Sequence, residues 1–504
     1  MSRLMDYRRE CATTREESPD ILTEHLEFNL EQLQNLFGRS PDLIIREFTI
    51  SAEKTVQAVI IYLENLVDKN RISDEFLSRL ADNAGKIAAR NCNPSQIGLY
   101  LKNQLMTVSC LKSEKTFSGA ADSLLAGDTL LLIEGLNEAL SLKTPGWEHR
   151  EINAPEVEVT IRGPRESFVE ALGTNIALLR RRISHPDLTV EALQVGQKTK
   201  TQVNIVYLKD LINPQIITEI RRRIERIKTD GILGSGHLEQ WIGDAPLSVF
   251  STLAYSERPD VVTAKILDGR AAIVIDGNPE VLTVPALFCE SFWSADDYNS
   301  NPIYTVLMRL IRYIGFAISI LLPAVYVALS SYHQELIPTQ LFIMMAAGVE
   351  GAPFPVFIEV IIIGLVFEIF REAGIRLPRP IGPAVTIVSM LVVAQSSITM
   401  GLVGVSTVVV VSITAIASVV IPSQANVSIP IRLLLVVLAS ILGAYGILLG
   451  LLFLMAHALS LRSFGVPYFY PVAPFNHKHF KEDVILKTPL WDKLSKVYFK
   501  WKRR

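Results

Sequence analysis

Two carboxylates stand inside a strongly apolar stretch in the C-terminal half of the chain. Glu359 and Glu368 both belong to the sequence PFPVFIEVIIIGLVFEIF (353–370). An ionised side chain among apolar membrane segments costs a few kcal/mol, so it faces water or other protein groups. A carboxylate placed in this way can line a water-filled pore or pocket, or it can hold two helices together by a hydrogen bond.

The side chains of Glu359 and Glu368 cannot both face the axis of the same pore. Nine residues at about 100° each put them on opposite faces of a straight helix. For Glu359, a water-lined pore or pocket and an interhelical hydrogen bond are equal alternatives. The candidate pore-lining residues on the same face are Ile363, Val366 and Phe370. Glu368 is a further pore-lining candidate, although an ion pair with Arg371 or Arg376 explains it more simply.

Two helical patterns are rich in arginine. SFVEALGTNIALLRRRI (167–183) ends on three arginines, and NPQIITEIRRRIERIK (213–228) contains four. Basic helices can bind nucleic acid, but residues 1–312 carry 35 Lys and Arg against 43 Asp and Glu, so this region as a whole is acidic and a nucleic-acid partner is not expected. We expect these helix faces to be solvated or paired with acidic neighbours, and otherwise to contact other subunits. The candidates for subunit contacts are Arg221, Arg222, Arg223 and Arg226.

The chain lacks the motifs of common catalytic and cofactor sites. GILGSGH (231–237) is glycine-rich but lacks the Gly-Lys-Ser/Thr ending of a phosphate-binding loop. There is no G-x-S-x-G and no H-E-x-x-H, and His477 and His479 without further ligands are a weak metal signal. The sequence therefore predicts no enzyme, metal or cofactor. Four cysteines without a C-x-x-C pair indicate reduced thiols: Cys11, Cys92, Cys110 and Cys289.

The carboxylates must be positioned by membrane helices. Residues 313–461 carry only nine charged side chains, whereas residues 462–504 carry ten basic and three acidic ones. About 20 apolar residues cross the hydrocarbon core of a bilayer. The candidate segments are 313–330, 341–370 (broken at Glu350, Gly351, Pro353 and Pro355), 383–398, 401–421 and 431–461. In the last segment, close helix packing is predicted at Gly443, Gly446 and Gly450.

The basic residues predict the orientation of these segments. The polar N-terminus shows no signal peptide, and arginines flank the first span and follow the second, so the N-terminal region and the basic tail are expected in the cytoplasm. The loops 331–340 and 422–430 contain no Lys or Arg and are expected outside. This arrangement needs an even number of crossings. We therefore expect 383–398 not to cross, which leaves four spans; five spans is the alternative, and Arg432 favours it.

The N-terminal region alternates strand-like and helical patterns, which indicates an α/β fold. Strands are predicted at 43–50, 55–63, 104–111 and 129–135, and helices at 21–38 and 72–81. LAGDTLLLIEGLNEALSL (125–142) aligns without gaps to LDGRAAIVIDGNPEVLTV (267–284), and 55–66 resembles 201–211 at nearly the same offset. These matches predict a duplicated subdomain, in which Gly135 and Gly277 make equivalent turns between strands.

The predicted fold class is therefore multi-domain, an N-terminal α/β soluble domain of two duplicated subdomains followed by an α-helical transmembrane bundle. We divide the chain into a polar tail with an amphipathic helix, two α/β subdomains, the transmembrane helices and a basic cytoplasmic tail. The boundaries are 1–38, 39–150, 151–300, 301–461 and 462–504. The aromatic and basic C-terminus is suited to the anionic lipids of the inner leaflet.

Several long strings together resemble the A subunit of GerA-type spore germination receptors. They include SPDLIIREFTI (40–50), GPRESFVEALGTNIALLRRRI (163–183) and NPQIITEIRRRIERIKTDGI (213–232). Further strings are IGDAPLSVFSTLAYSERPDVVTAKILDGRAAIVIDG (242–277), YHQELIPTQL (332–341), EGAPFPVFIEVIIIGLVFEIFREAGIRLPRPIG (350–382) and LRSFGVPYFYPVAP (461–474). The resemblance covers most of residues 40–475 and both halves of the chain.

The resemblance implies a nutrient-responsive receptor subunit of the spore inner membrane. Such A subunits are expected to work with a permease-like B subunit, which binds the nutrient, and a lipoprotein C subunit. They are thought to oligomerise, with a pentamer suspected, into a cation channel whose opening begins germination. In that picture the helix after E-G-A-P-F-P lines the pore, which is the helix of Glu359, and the soluble domain forms a ring on the spore-core side.

Three other functions compete with this one. A stage V sporulation AF-type subunit has the same layout and supports release of calcium dipicolinate. A secondary transporter is a different class, but such proteins usually show inverted repeats within the membrane, whereas the repeat here lies in the soluble part. A membrane scaffold would need no gated pathway and no polar pore face.

Overall fold

A computed structural model describes residues 20–49, 57–73, 111–146, 155, 158, 160–349, 353–377, 382–421 and 424–476. Several sequence-based predictions lie outside these residues. They concern the polar tail, most of the helix at 72–81 and the strand at 104–111, the basic C-terminus with His477 and His479, and three of the cysteines. The fourth, Cys289, is a buried free thiol.

The first part of the chain forms a five-stranded antiparallel sheet. Its order is β1-β2-β4-β5-β3. The interior strands β2 and β4 are apolar runs that are buried on both faces, whereas β1 lies at the edge and is mostly half-buried or exposed. The elements are α1 (Leu26–Leu36), β1 (Leu43–Thr49), β2 (Gln57–Leu63), α2 (Lys69–Arg71), β3 (Leu111–Glu114), α3 (Phe117–Leu125), β4 (Thr129–Ile133) and β5 (Ala139–Leu142).

A second sheet repeats this arrangement. Its order is β6-β7-β9-β10-β8, again with every neighbouring pair antiparallel. The elements are α4 (Leu172–Arg182), β6 (Leu188–Val195), β7 (Thr201–Leu208), α5 (Pro214–Glu225), α6 (Ser235–Ile242), β8 (Ala254–Ser256), α7 (Pro259–Leu267), β9 (Ala271–Ile275) and β10 (Val281–Val284). The predicted α/β duplication is confirmed.

The two repeats also share a pair of hydrogen bonds, made by an asparagine of the helix that precedes the first strand of each sheet. The side chain of Asn29 in α1 closes a loop by accepting from the N–H of Thr23 at 2.9 Å and donating to its carbonyl at 2.6 Å. Asn175 in α4 makes the same pair of bonds to Val169, at 2.8 and 2.6 Å. The repeated unit therefore includes helix α1.

The two predicted turn glycines are also equivalent. Gly135 and Gly277 have φ of 81° and 79°, which is the left-handed region that favours glycine. Their N–H groups donate to the carbonyls of Glu24 and Glu170, both at 2.9 Å. Each turn thereby fixes the segment that leads into α1 or α4.

The C-terminal part is helical. Its helices are α8 (Asp296–Asn299), α9 (Pro302–Ser331), α10 (Thr339–Val349), α11 (Val356–Arg376), α12 (Gly382–Thr399), α13 (Val405–Val419) and α14 (Ala425–Ser460), with 3-10 turns at Phe288–Phe292 and Gln334–Leu336. Among the described residues, α9 and α14 are long and apolar enough to cross a membrane, and Ile387–Thr399 and Val405–Val419 are shorter apolar helices.

Helix α14 folds back on itself. Gly443 has φ 62° and ψ −141°, which interrupts the helix. A Cβ on Gly450 would lie 2.7 Å from Cδ2 of Leu435, although 15 residues of straight helix span about 22 Å. The segments 425–442 and 444–460 are therefore two antiparallel arms, and the expected single helix over 431–461 is wrong. Glycine within an apolar run gave no sign of a turn.

The turn of α14 rests on the end of α9. The hydroxyl of Tyr332 donates to the carbonyl of Ser440 at 2.7 Å, at the end of the first arm. Nε2 of His333 accepts from the N–H of Ala444 at 3.4 Å, at the start of the second arm. This is the far end of the bundle; the near end is the one that contacts the soluble subdomains.

The other helices alternate between these ends. Helix α13 is antiparallel to α9, because Tyr326 bonds Thr407 near its start, and a Cβ on Gly315 would meet the carbonyl of Ala417 near its end. Helix α11 starts at the far end and runs towards the near end. Helix α12 then has to return to the far end where α13 begins, and its 18 residues span about 27 Å.

Two sequence-based expectations are corrected by this geometry. Helix α12, expected to stay on one side, runs the length of the bundle. The described part of the segment 422–430, expected opposite the soluble domain, begins the first arm of α14 at the near end. The charge pattern misled here because 422–430 carries no Lys or Arg, and Arg432, which favoured the alternative, pairs with Glu368 inside the bundle.

The C-terminal end of the described chain returns to the second subdomain. The strands β11 (Arg462–Ser463) and β12 (Val466–Pro467) form a small hairpin after α14. Phe464 at its turn is buried in the core of the second subdomain, and Ser463 donates to the carbonyl of Thr252 at 2.7 Å. Phe464 and Tyr468 of the aromatic C-terminal segment are thus buried against protein, where the sequence indicated contact with lipid.

Candidate functional site

Glu359 is fully buried, with 0% of its surface exposed. Its Oε2 accepts from the N–H of Gly404 at 3.1 Å and from the hydroxyl of Thr407 at 2.7 Å. Gly404 is the N-cap of α13, so the carboxylate also lies at the positive end of that helix dipole. Helix α11 is thereby attached to the start of α13.

This contact is part of a polar chain across three helices. The hydroxyl of Thr407 also lies 3.1 Å from that of Tyr326 in α9, which in turn is 2.9 Å from the hydroxyl of Ser406. The second carboxylate oxygen of Glu359 has no hydrogen-bond partner among the described residues. Of the two alternatives for Glu359, the structure contains the interhelical hydrogen bond.

The rest of the predicted pore face is also turned into the protomer. Ile363 packs against the buried core of the helical bundle, and Val366 and Phe370 are half-buried. The face of α11 that no described residue covers lies about 100° away. It carries Leu365 and Ile369, which are 60% and 57% exposed. Pore lining by the Glu359 face stays a prediction.

Glu368 is held by two arginines. Nε of Arg371 lies 2.7 Å from one carboxylate oxygen, and Nη2 of Arg432 lies 2.6 Å from the other. The pairing with Arg371 was expected, whereas Arg376 pairs with Glu372 instead. The contact with Arg432 was missed because the two residues are 64 positions apart, and no local spacing reveals such a pair.

Of the four arginines proposed for subunit contacts, two are half-buried and two are exposed. Arg221 pairs with Glu191 at 2.7 Å, and that carboxylate raises the pKa of Arg221. Arg222 and Arg226 are exposed, although Arg222 also reaches Glu219 at 2.5 Å. The two exposed arginines remain available for the predicted contact.

Arg223 joins the second subdomain to the end of the helical bundle. It donates to Asp244 at 2.6 Å, and its guanidinium lies 4.3 Å from the ring centroid of Phe464. The other oxygen of Asp244 accepts from the N–H of Phe464 at 2.7 Å. Because Phe464 follows α14 by four residues, this arginine connects α5 with the last helical arm.

An aromatic cluster completes this junction. The ring of Phe288 stacks on Phe469 at 4.6 Å, and it makes edge contacts with Phe250 at 6.0 Å and Phe316 at 6.2 Å. These rings come from the second subdomain, the C-terminal segment and helix α9. The junction therefore places the near end of the bundle directly on the second subdomain.

The three predicted packing glycines form the α14 hairpin. Gly443 makes the turn, while Gly446 and Gly450 face the first arm, where an added Cβ would meet Leu438 and Leu435. The prediction of close helix approach fits these positions. Its partner is the preceding arm of the same helix.

Comparison with known proteins gives consistent matches along most of the chain. Residues 31–497 match the model of the family described as Bacillus/Clostridium GerA spore germination protein. The chain is 38% identical to spore germination protein KA of Bacillus subtilis (strain 168) over 477 residues, which is 94% of this chain and 86% of that protein. It is 35% identical to spore germination protein GerLA of Bacillus cereus over 459 residues, 90% of this chain and 92% of that one.

Two further matches concern a membrane protein and a solved structure. The uncharacterized membrane protein YfkQ of Bacillus subtilis (strain 168) is 37% identical over 477 residues, covering 93% of this chain and 90% of that protein. The crystal structure of the N-terminal domain of the A subunit of the Bacillus megaterium spore germinant receptor GerK3 is 33% identical. It covers 53% of this chain and 97% of that chain, with a TM-score of 0.43.

Proposed function

Because the chain belongs to the Bacillus/Clostridium GerA spore germination protein family, we propose that it is the A subunit of a nutrient-responsive germination receptor. In this proposal several copies form a cation channel in the spore inner membrane. The permease-like B subunit and the lipoprotein C subunit are its partners. Nutrient binding on the B subunit opens the channel, and ion release starts germination.

The observation that carries the proposal is the attachment of the predicted pore helix at Glu359. Helix α11 is held to α13 by the bonds from Gly404 and Thr407. We propose that this contact keeps α11 in its closed position and that opening separates the two helices. A hydrogen bond to a charged group is worth about 1.5–3 kcal/mol, which is the size needed to bias a two-state element.

The junction between the helical bundle and the second subdomain would mechanically connect the soluble part of the protein to the helices around α11. Its aromatic cluster and the contacts of Arg223 join α5, α9 and the end of α14. A movement of the soluble ring would therefore be transmitted to the helices that surround α11. Nutrient recognition itself is assigned to the partner subunit.

The direct test is potassium efflux from liposomes that contain the purified protein. Thr407→Val removes the hydroxyl that donates to Glu359 and should raise the leak roughly tenfold or more, because about 1.4 kcal/mol changes an equilibrium tenfold. The matched control is Thr414→Val on the same helix. Thr414 is equally buried, but its hydroxyl donates only to the carbonyl of Val410 within α13.

The two variants separate the possible outcomes. Equal leaks for Thr407→Val and Thr414→Val would disprove the closing role of the Glu359 contact. An impermeable protein in every variant, even with the partner subunits present, would remove the channel proposal altogether. A scaffold or signalling role would then be the better account.

We further propose six membrane crossings, with the soluble subdomains on the spore-core side. The support is the direction of each helix: α9, α11, α12, α13 and the two arms of α14 run alternately between the near and far ends. An even number returns the described C-terminal hairpin to the soluble side. Helix α10, at 11 residues, is too short to span a bilayer alone.

Accessibility of single cysteines tests this topology. In a background without native cysteines, Met400→Cys and Tyr445→Cys should react with an impermeant maleimide from the side opposite the soluble subdomains. Both residues are exposed and lie at the far end, beside α12 and the α14 turn. Ile375→Cys, exposed at the near end of α11, is the control. Labelling of Met400→Cys from the soluble side would restore the four-span arrangement.

A further inference from the structure

One loop of the second subdomain is attached to the near end of the helical bundle. It consists of residues 245–250, between α6 and β8, and we call it the 245–250 loop. Phe250 is buried in the core of the helical bundle, and Ala245 packs against the same core. The hydroxyl of Ser248 lies 2.8 Å from Nε2 of His457, in the last turn of α14. The loop is therefore held against the bundle at both of its ends and near its middle.

Between these attached residues the loop exposes apolar side chains. Leu247 is 100% exposed and Val249 is 41% exposed, one on each side of Ser248 in the sequence. The chain carries no charged residue between Asp244 and Glu257. Single exposed apolar residues are ordinary on a surface that faces water. What covers Leu247 and Val249 therefore depends on the height of the loop relative to the bilayer.

The length of the second arm of α14 indicates this height. Residues 444–460 form the arm and span about 25 Å, whereas the hydrocarbon core of a typical bilayer is about 30 Å thick. With the turn at Gly443 at one surface of that core, His457 lies about 21 Å from the surface, and any tilt of the arm shortens this depth. Ser248, which contacts His457, is then within the thickness of the hydrocarbon core.

The exposed side chains of the second arm agree with this height. Met455 and Leu459 are 49% and 45% exposed, and His457 lies between them in the sequence. The arm contains no Lys, Arg, Asp or Glu, and the first charged residue after it is the exposed Arg462. Because charged side chains mark the aqueous boundary of a membrane segment, the level of Ser248 is on the apolar side of that boundary.

We propose that Leu247 and Val249 of the 245–250 loop insert into the lipid leaflet on the soluble side, beside the second arm of α14. The occupant is the apolar part of the lipid, because the loop has no Lys or Arg to attract an anionic headgroup. Since Ser248 and Phe250 attach the loop to the bundle, the bilayer helps to position the second subdomain. This inference rests on the proposed membrane crossings and adds a lipid contact made by the soluble part.

The test reads the surroundings of single cysteines in the full chain, reconstituted in liposomes. In a background without native cysteines, Leu247→Cys carries a nitrobenzoxadiazole fluorophore, and matched liposomes contain lipids with a nitroxide on the acyl chain. We expect a blue-shifted emission at Leu247→Cys and a loss of fluorescence in the nitroxide lipid. Leu459→Cys, exposed on the second arm of α14, is the control for lipid, and Leu233→Cys is the control for water.

Leu233 suits this purpose because it lies at the other end of the second sheet. It is 77% exposed, and a Cβ on the neighbouring Gly234 would be 3.3 Å from Nδ2 of Asn278, in the turn between β9 and β10. The opposite end of β10 leads into the 3-10 turn Phe288–Phe292 at the bundle. A label at Leu233→Cys should therefore keep its fluorescence in the nitroxide lipid.

The outcomes separate the lipid contact from the membrane crossings. Quenching at Leu459→Cys without quenching at Leu247→Cys overturns the lipid contact while the proposed crossings stand. Quenching at neither position overturns both, and equal quenching at Leu247→Cys and Leu233→Cys overturns the contact as non-specific.

A photoreactive benzoylphenylalanine at Leu247 distinguishes lipid from protein as the occupant. An adduct with lipid supports the proposal. An adduct with a second protein chain, whether another copy or a partner subunit, overturns it in favour of a protein contact.

Discussion

Arg180 illustrates how a basic run can hide one residue with a different role. It belongs to the run Arg180–Arg182, yet only 1% of its side chain is exposed. Its Nε and Nη2 donate to the two oxygens of Asp42 at 2.9 and 3.0 Å, and Nη1 donates to the carbonyl of Leu188 at 2.7 Å. Asp42 precedes β1, so this bidentate pair joins the two subdomains.

Removing one partner of this pair should lower the stability of the soluble region. Arg180→Ala leaves a buried carboxylate unpaired and is expected to destabilise the soluble region by about 3–5 kcal/mol. Arg222→Ala is the control, because the exposed pair with Glu219 is worth about 1 kcal/mol at most. The measurement is the midpoint of thermal unfolding of the full chain. Arg180→Met combined with Asp42→Leu should recover much of the loss, and equal midpoints for the two single variants would contradict the assignment.

At the scale of elements, the hairpin of α14 decides at which end of the helical bundle the chain leaves it. The turn needs the backbone of Gly443, and its arms need Gly446 and Gly450, because a side chain at these positions would meet Tyr332, Leu438 or Leu435. The end of α9 caps both arms through Tyr332 and His333. The helix that enters the bundle from the soluble domain therefore also sets the turn of the last hairpin.

Gly443→Ala tests the hairpin. The native φ and ψ are accessible essentially to glycine alone, so alanine adds about 1–3 kcal/mol of strain, and its Cβ would lie 3.1 Å from Tyr332. We expect a lower midpoint of thermal unfolding in detergent and faster proteolysis of the far-end turn. Gly364→Ala in α11 is the control: its Cβ meets nothing within 4 Å, and the helix gains up to about 1 kcal/mol. If Gly443→Ala and Gly364→Ala had the same midpoint of thermal unfolding, the result would argue for a continuous α14.

At the scale of the whole molecule, the second subdomain shares a core with the helical bundle, whereas the first subdomain is joined to the second subdomain by contacts such as Arg180–Asp42. Phe250 and Tyr468 are buried in the same cluster as Ile320 and Leu435 of the helical bundle. The buried clusters of the first sheet include Ala177 of α4 but no residue of the helical bundle. The second repeat is therefore the one that is mechanically continuous with the helical bundle.

Hydrogen exchange should reveal this division. Phe288→Ala removes the centre of the aromatic cluster, at a cost of about 3–5 kcal/mol, and should speed exchange both in β10 and in the near ends of α9 and α14. Leu131→Ala, at a fully buried position of the first sheet, should act on that sheet alone. If Phe288→Ala left the helices unchanged, the subdomain and the bundle would be separate cooperative units.

The sequence by itself determined the main divisions of this protein. Charge distribution and hydropathy separated the soluble and membrane parts, and the gapless match of 125–142 to 267–284 predicted the duplication. The turn glycines Gly135 and Gly277 were located correctly. These features are readable because apolar periodicity, charge and glycine turns are local properties of the chain.

Only the tertiary structure decided which distant residues meet. The pairs Arg180–Asp42, Glu368–Arg432 and Glu359–Thr407 join positions 138, 64 and 48 residues apart. The fold-back at Gly443 and the return of Phe464 into the second subdomain depend on the surfaces of other elements. Such contacts arise from packing in three dimensions, and a linear pattern carries no information about which of several polar or apolar partners will be adjacent after folding.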